Sequence, residues 1–156
     1  MRQVILDFEN NVDRKYNKYK KVFIEIMNDT LDQLTFQTGT YLVEVLLVED
    51  ARISELNLKT RGKNEVTDVL SFAYQNKATL ESYLANPDAP LNLGSIVINA
   101  LAAKRQAELY EHEVRREFKF LFVHGLLHLF GYDHATPEEE KIMIKLQNEI
   151  IGKRGS

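Results

Sequence analysis

FKFLFVHGLLHLFGYDH, at residues 118–134, contains three of the four histidines of this 156-residue chain. His124 and His128 are four residues apart, so on a helix their imidazoles lie on one face. Gly131 follows at a point where a helix can end and the chain can reverse, which would bring His134 back over the first two rings. Three imidazoles that converge from a helix and its following turn suit a tetrahedral metal with one open position.

The apolar surroundings of these histidines decide whether they are ordinary core residues or metal ligands. A single histidine on an apolar helical face is usually a core residue with an ordinary hydrogen bond. Here apolar side chains surround the helix almost completely, which predicts a buried helix. An unpaired buried polar group costs about 1–3 kcal/mol, and one metal would satisfy both rings. Gly125 costs roughly 1 kcal/mol against alanine in a helix interior, which a close neighbour or a space for substrate would explain.

The spacing H-x3-H-x2-G-x2-H is that of the metzincin peptidases, whose second position is glutamate. That glutamate is the general base for peptide hydrolysis. In this chain the position is Gly125. The pattern therefore predicts a metal site and argues against peptide cleavage by that mechanism.

Length and composition predict one domain, at residues 1–151, followed by a frayed polar tail at residues 152–156. The chain has no cysteine, so disulfides and thiolate ligands are excluded. We find no pattern of a signal peptide and no apolar run of roughly 20 residues, so we expect a cytoplasmic protein without a membrane partner. The net charge of -3 gives no global attraction to nucleic acid, so any RNA contact requires a local basic patch.

Hydrophobic patterns predict an α+β (mixed α/β) domain, with a single sheet of about four strands packed by helices. In this fold the metal site lies on a central buried helix and the following turn. The predicted strands are 4–8, 41–49, 67–74 and 91–98. The predicted helices are 14–36, 51–58, 100–110, the helix that carries His124 and His128 (the histidine helix), and a last helix that Thr136 caps. We predict a basic turn at 59–64, a surface excursion at 75–90, and a bulge or close backbone approach at Gly94.

Two further features carry open interpretations. The basic residues between Arg14 and Lys21 favour a solvated helix face over an RNA contact. His112, the fourth histidine, lies near a helix break and is left without a role, and we expect it to be exposed.

The segment 124–134, HGLLHLFGYDH, resembles the H-G-x-L-H-L-x-G-Y-D-H signature of the YbeY family of bacterial endoribonucleases. The resemblance extends to Arg61-Gly62-Lys63, to TDVLSF at 67–72, to LGSIVI at 93–98 and to the final helix at 136–147. Three positions depart from the family pattern. Ser95 replaces an aspartate, Val66 replaces a proline and Asn64 replaces another aspartate.

The resemblance implies a single metal ion, usually Zn²⁺, on His124, His128 and His134. It implies cleavage of single-stranded RNA, with roles in maturation of ribosomal RNA, including that of the small subunit, and in ribosome quality control. The expected partners are ribosomal RNA and the ribosome or its small-subunit proteins. If the carboxylate absent at Ser95 assists catalysis or RNA placement, activity is altered.

Within that reading we assign catalytic roles to His124 and Arg61. A guanidinium pairs two phosphate oxygens at once, whereas the alternative for Arg61 is an ordinary surface arginine. Lys63 extends a phosphate groove, and Asp133 either orients a ligand histidine or caps the turn.

Two functions of different class stay open, together with a weaker third. The first is a metal-dependent endoribonuclease, and the second is a non-catalytic, ribosome-associated assembly factor that binds structural zinc. Structural zinc normally has four protein ligands, and only three are obvious here, although Asp133 or Ser95 as a fourth would reverse that argument. Another metal-dependent hydrolase is the third.

Overall fold

Four strands form one mixed sheet in the computed structural model, which describes residues 1–153. The strands are β1 (Arg2–Asn10), β2 (Gly39–Val48), β3 (Val69–Ala73) and β4 (Leu91–Asn99). Their order is β1-β2-β4-β3, with β1, β2 and β4 parallel and β3 antiparallel to β4. The predicted fold class is confirmed, and β3 forms an edge of the sheet.

Six α-helices surround this sheet within residues 1–153. They are α1 (Tyr19–Gln33), α2 (Asp50–Arg61), α3 (Lys77–Ala85), α4 (Ala100–Leu109), α5 (Val114–Leu129) and α6 (Pro137–Gly152). A short 3-10 helix at Arg14–Lys18 precedes α1, so the predicted helix at 14–36 is two helical pieces. None of the helices in this part of the chain has the length and apolar character that a membrane crossing requires.

Helix α5 is the predicted buried helix and lies at the centre of the larger core cluster. Phe118 and Phe122 are fully buried on it, and the Phe122 ring stacks on Phe23 of α1 with centroids 4.3 Å apart. The opposite face of the sheet carries a smaller cluster that includes Ile53 of α2 and Val97 of β4. Since successive strand residues face opposite sides, β4 contributes to both clusters.

Gly125 allows α5 to approach β4 closely. A Cβ atom at this position would lie 2.8 Å from Cγ2 of Ile96, so the close neighbour expected from the sequence is present. The β2–β4 register shifts beside Gly94, which confirms the predicted bulge. Gly94 has φ +140°, and a Cβ there would lie 2.1 Å from the carbonyl oxygen of Phe72. Both glycines therefore hold the histidine helix against the edge of the sheet.

We expect Gly125→Ala to lower the free energy of unfolding, by on the order of 1 kcal/mol. Overpacking costs about 1–3 kcal/mol, which exceeds the gain of roughly 1 kcal/mol in helix propensity. Denaturant unfolding measures the change. Gly152→Ala is the control because nothing lies within 4 Å of its added Cβ, and adding Ile96→Ala should recover part of the loss specific to Gly125→Ala. A Gly125→Ala protein as stable as wild type would contradict the close packing.

Two sequence predictions near the site were wrong. The segment 75–90 is not only a surface excursion, because it contains α3, which a capping box between Asn76 and Thr79 begins. The predicted turn at 59–64 is partly helical, since α2 continues to Arg61 and ends at Gly62 in the left-handed conformation. Arg61 is therefore fixed on the last turn of a helix.

The predicted tail at residues 152–156 overlaps the described chain only at its start. Gly152 is the last residue of α6 and Lys153 follows as its C-cap. Residues 154–156 lie outside the described part of the chain.

Candidate metal centre

The end of α5 forms the turn that carries the third histidine. The helix is capped by a Schellman motif, in which Tyr132 N donates to Leu127 O (3.0 Å) and Gly131 N donates to His128 O (3.0 Å). Gly131 has φ +95°, a conformation that glycine adopts without strain. The chain reverses here and returns His134 to the two helical histidines.

His124, His128 and His134 each place a ligand atom within 4.8 Å of the others. The Nε2 atoms of His124 and His128 are 3.1 Å apart. Two nitrogens that bind one tetrahedral zinc at 2.0–2.1 Å lie about 3.3 Å apart, so this separation fits a shared metal. The three residues can therefore hold a metal ion.

Hydrogen bonds at the opposite ring nitrogens orient two of the imidazoles. His128 Nδ1 donates to the carbonyl oxygen of Tyr132 (2.8 Å), which leaves its Nε2 with a free lone pair. His124 Nδ1 lies 2.9 Å from Nε2 of Gln147 on α6, a residue that is 3% exposed. Rotating this amide by half a turn would place its oxygen at the ring, where it would accept the Nδ1 proton and free Nε2 for a metal.

Burial keeps both helical histidines neutral. It lowers the pKa of His124 from 6.5 to about 4, with a smaller contribution from repulsion by His128 and His134. Burial also lowers the pKa of His128, although its bond to Tyr132 O opposes the shift. Neutral imidazole is the form that binds metals, so the site favours the ligand form at neutral pH.

The triad opens into a cleft of about 540 Å³, whose lining includes Arg61, Asp68 and Ser71 on the side of β3. The Arg61 side chain is held in place because its Nη2 donates to Ser71 O (3.1 Å) and its guanidinium lies 5.8 Å from the Phe72 ring centroid. Its positive charge helps to lower the pKa of His128. The structure thus brings Arg61 to the same cleft as the histidines.

Comparison with known proteins identifies the family. The family described as Endoribonuclease YbeY matches residues 5–155. The chain belongs to the YbeY family. The protein named Endoribonuclease YbeY from Bacillus cytotoxicus is 38% identical over 152 residues, which cover 97% of each chain. The one from Geobacillus kaustophilus is 46% identical over 113 residues, which cover 72% of each chain.

A solved structure agrees with the fold. The solution structure of TM1509 from Thermotoga maritima matches with a TM-score of 0.59 and 24% sequence identity, covering 99% of this chain and 91% of that one. The family is metal-dependent, in agreement with the histidine cluster.

Ser95, where the YbeY pattern has aspartate, lies on the other face of the sheet from α5. Its neighbour Ile96 faces Gly125, and strand alternation turns Ser95 the opposite way. Its hydroxyl donates to Glu44 Oε1 (3.0 Å) and accepts from Tyr74 OH (2.9 Å). We therefore leave Ser95 out of the proposed site, and Glu44 gives a reason for a neutral residue at this position.

Of the other residues that the YbeY resemblance singled out, one lines the cleft and one does not. Asp133 lines the cleft, and its Oδ1 accepts from the backbone N–H of His134 (2.7 Å), as in the turn-capping alternative. Lys63 is exposed and is not among the cleft-lining residues of the described chain. The expectation that His112 is exposed was wrong, since its side chain is 29% exposed and lies 4.0 Å from Glu117 Oε1.

Sequence reasoning missed two residues that lie at the site, Asp68 in the cleft and the buried Gln147 behind His124. Asp68 lines the cleft, and its Oδ2 accepts from Gln106 Nε2 (3.2 Å). The signal for Asp68 was its place in the TDVLSF segment of the YbeY pattern. Gln147 had no local signal, because only the packing of α6 on α5 brings it to His124.

Proposed function

We propose that this YbeY endoribonuclease cleaves single-stranded RNA with one zinc ion held by His124, His128 and His134. We further propose that it acts on ribosomal RNA of the small subunit in the bacterial cytoplasm, in maturation and ribosome quality control. Family membership carries the enzyme class and the link to ribosomal RNA processing. The observation that supports the site is the convergence of three imidazoles on a cleft that also contains Arg61.

Zinc is the metal that we propose because the ligands are three imidazole nitrogens, and the two on α5 lie 3.1 Å apart, close to tetrahedral spacing. Imidazole also binds other divalent ions, so the choice is tested below by metal substitution. Bound zinc would supply Lewis acidity at a phosphate oxygen and a lowered pKa for water.

The residues of the chain have distinct tasks in this proposal. His124 and His128 present Nε2 lone pairs, and Gln147 and the Tyr132 carbonyl hold the rings that carry them. Arg61 binds two oxygens of the scissile phosphate and stabilises the charge that develops there. Asp68 lies in the same cleft, and its carboxylate accepts a hydrogen bond from the nucleophile, which is either water or the 2′-hydroxyl of the RNA.

The non-catalytic alternative is a zinc-binding assembly factor that contacts the ribosome or its small-subunit proteins. Structural zinc sites are closed by four protein ligands. In the described part of the chain the histidine cluster has three members and opens into a cleft. Three histidines that open into a cleft containing an arginine favour catalysis over a purely structural role.

A cleavage assay on matched single-stranded and double-stranded RNA tests this proposal. The metal-stripped protein should be inactive, and zinc should restore cleavage of the single strand but not of the duplex. Manganese and magnesium at equal concentration test metal identity. Zinc binding without cleavage of either RNA, combined with association with the small subunit, would support the assembly-factor alternative instead.

A further inference from the structure

The face of α5 that carries the histidines continues toward the start of the helix. Arg116, Phe120, His124 and His128 are spaced by four residues and therefore form one stripe. The stripe changes from charged to aromatic to metal-binding along its length. Phe120 lies about 6 Å along the axis from His124, since four residues of helix rise by that distance.

Phe120 is 40% exposed, although the residues beside it on α5 are buried. Tyr110, which ends α4, is 59% exposed and faces the same region of the surface. A single exposed ring needs no explanation, but apolar side chains grouped on one surface are typical of binding sites. Tyr110 and Phe120 line the same cleft, so their exposed faces are available to one ligand.

A second cleft lies between the two rings, with a volume of about 450 Å³. Its lining includes Tyr110, His112, Arg116 and Phe120. Asp68 lines both this cleft and the one at the histidines, so the two clefts meet at that residue. The aromatic cleft is therefore the neighbour of the candidate metal centre, where a strand bound at the histidines would continue.

The charges in the wall of the aromatic cleft do not select a phosphate. Two carboxylates, Asp68 and Glu117, lie in the wall together with the guanidinium of Arg116, so the wall has no excess of positive charge. The rings of Tyr110 and Phe120 instead offer stacking surfaces, which bind nucleobases without regard to sequence. Arg116 is exposed on the same stripe, where its charge can meet the backbone of the strand.

We infer that Tyr110 and Phe120 form a nucleobase-binding subsite, which stacks a base of single-stranded RNA next to the phosphate at the histidines. This inference rests on the proposed function, because the RNA strand is the occupant that connects the two clefts. It also explains a preference for single strands, since a paired base cannot leave its duplex to stack on a protein ring.

The chain has no tryptophan, which allows a direct test. Phe120→Trp introduces a single fluorescent ring at the proposed subsite, and Tyr110→Trp provides a second reporter. The zinc-loaded variants are titrated with a single-stranded 2′-O-methyl RNA oligonucleotide and with an abasic strand of equal length. Ile142→Trp, at an exposed position on α6, is the matched control.

We expect the base-bearing strand to quench both reporters and the abasic strand to leave them unchanged. Phe120→Ala and Tyr110→Ala should each raise KM for single-stranded RNA by about 5- to 150-fold, the range for loss of one stacked base, with kcat and zinc content retained. Phe120→Tyr should keep the wild-type KM.

Bound RNA that leaves both reporters unquenched would overturn the subsite, and so would equal quenching by the abasic strand. The proposed function fails separately. If wild-type protein cleaves no RNA while the reporters are quenched by bases, the subsite stands and the catalytic proposal falls.

Discussion

Replacing either helical histidine, as His124→Ala or His128→Ala, is expected to reduce RNA cleavage to the background rate and to remove the bound zinc. Both rings present Nε2 to the same point, 3.1 Å apart, so the loss of one leaves two ligands for the metal. Cleavage assays and elemental analysis of the same preparations measure the two effects.

Thermal melting separates this loss from unfolding. Zinc that binds only the folded state stabilises it, so each variant should melt near the temperature of the zinc-stripped wild type. Because burial lowers the pKa of His124 to about 4, the stabilisation by zinc should persist at pH 5 in wild type and be lost as the pH falls through about 4, where protons compete with the metal for this imidazole. Variants that retain one zinc per chain would contradict the assignment of these ligands.

Arg61→Ala is expected to lower the cleavage rate by about 10²–10³-fold, as for the loss of one donor at a developing negative charge. Zinc content should stay at the wild-type level, because Arg61 is not one of the proposed ligands and its side chain bonds to Ser71 O. Arg61→Lys should recover only part of the rate, since a point charge cannot form the bidentate pair.

Arg52→Ala is the matched control for this experiment, because Arg52 is an exposed arginine on the same helix and pairs with Glu55. It should cleave RNA at the wild-type rate. The assembly-factor alternative predicts a different pattern, in which Arg61→Ala weakens association with RNA or the ribosome and wild type has no zinc-dependent cleavage. Full activity in Arg61→Ala would remove this residue from the catalytic group.

The histidine site could be predicted from the sequence because its geometry is local. His124 and His128 share a helical face by their spacing, and Gly131 supplies the reversal that returns His134. The apolar run of α5 likewise predicted that this helix is buried. These features depend on backbone geometry over a few turns, which short sequence patterns describe well.

Features that depend on distant contacts were not predictable in the same way. Gln147 reaches His124 only because α6 packs on α5, and Ser95 faces away from the site because of its strand register. Helix α3 was missed because its segment is short and prolines follow it, although Leu80, Tyr83 and Leu84 stand at helical spacing. The Asn76 capping box was a second local signal.

Titration of the metal-stripped wild-type protein with zinc, with single-stranded RNA cleavage measured at each point, is the most direct test of the central claim. We predict that cleavage rises from background and stops rising at one zinc per chain, while His124→Ala remains inactive throughout. Cleavage by the stripped protein that equals the zinc-loaded rate would contradict a metal centre at the three histidines.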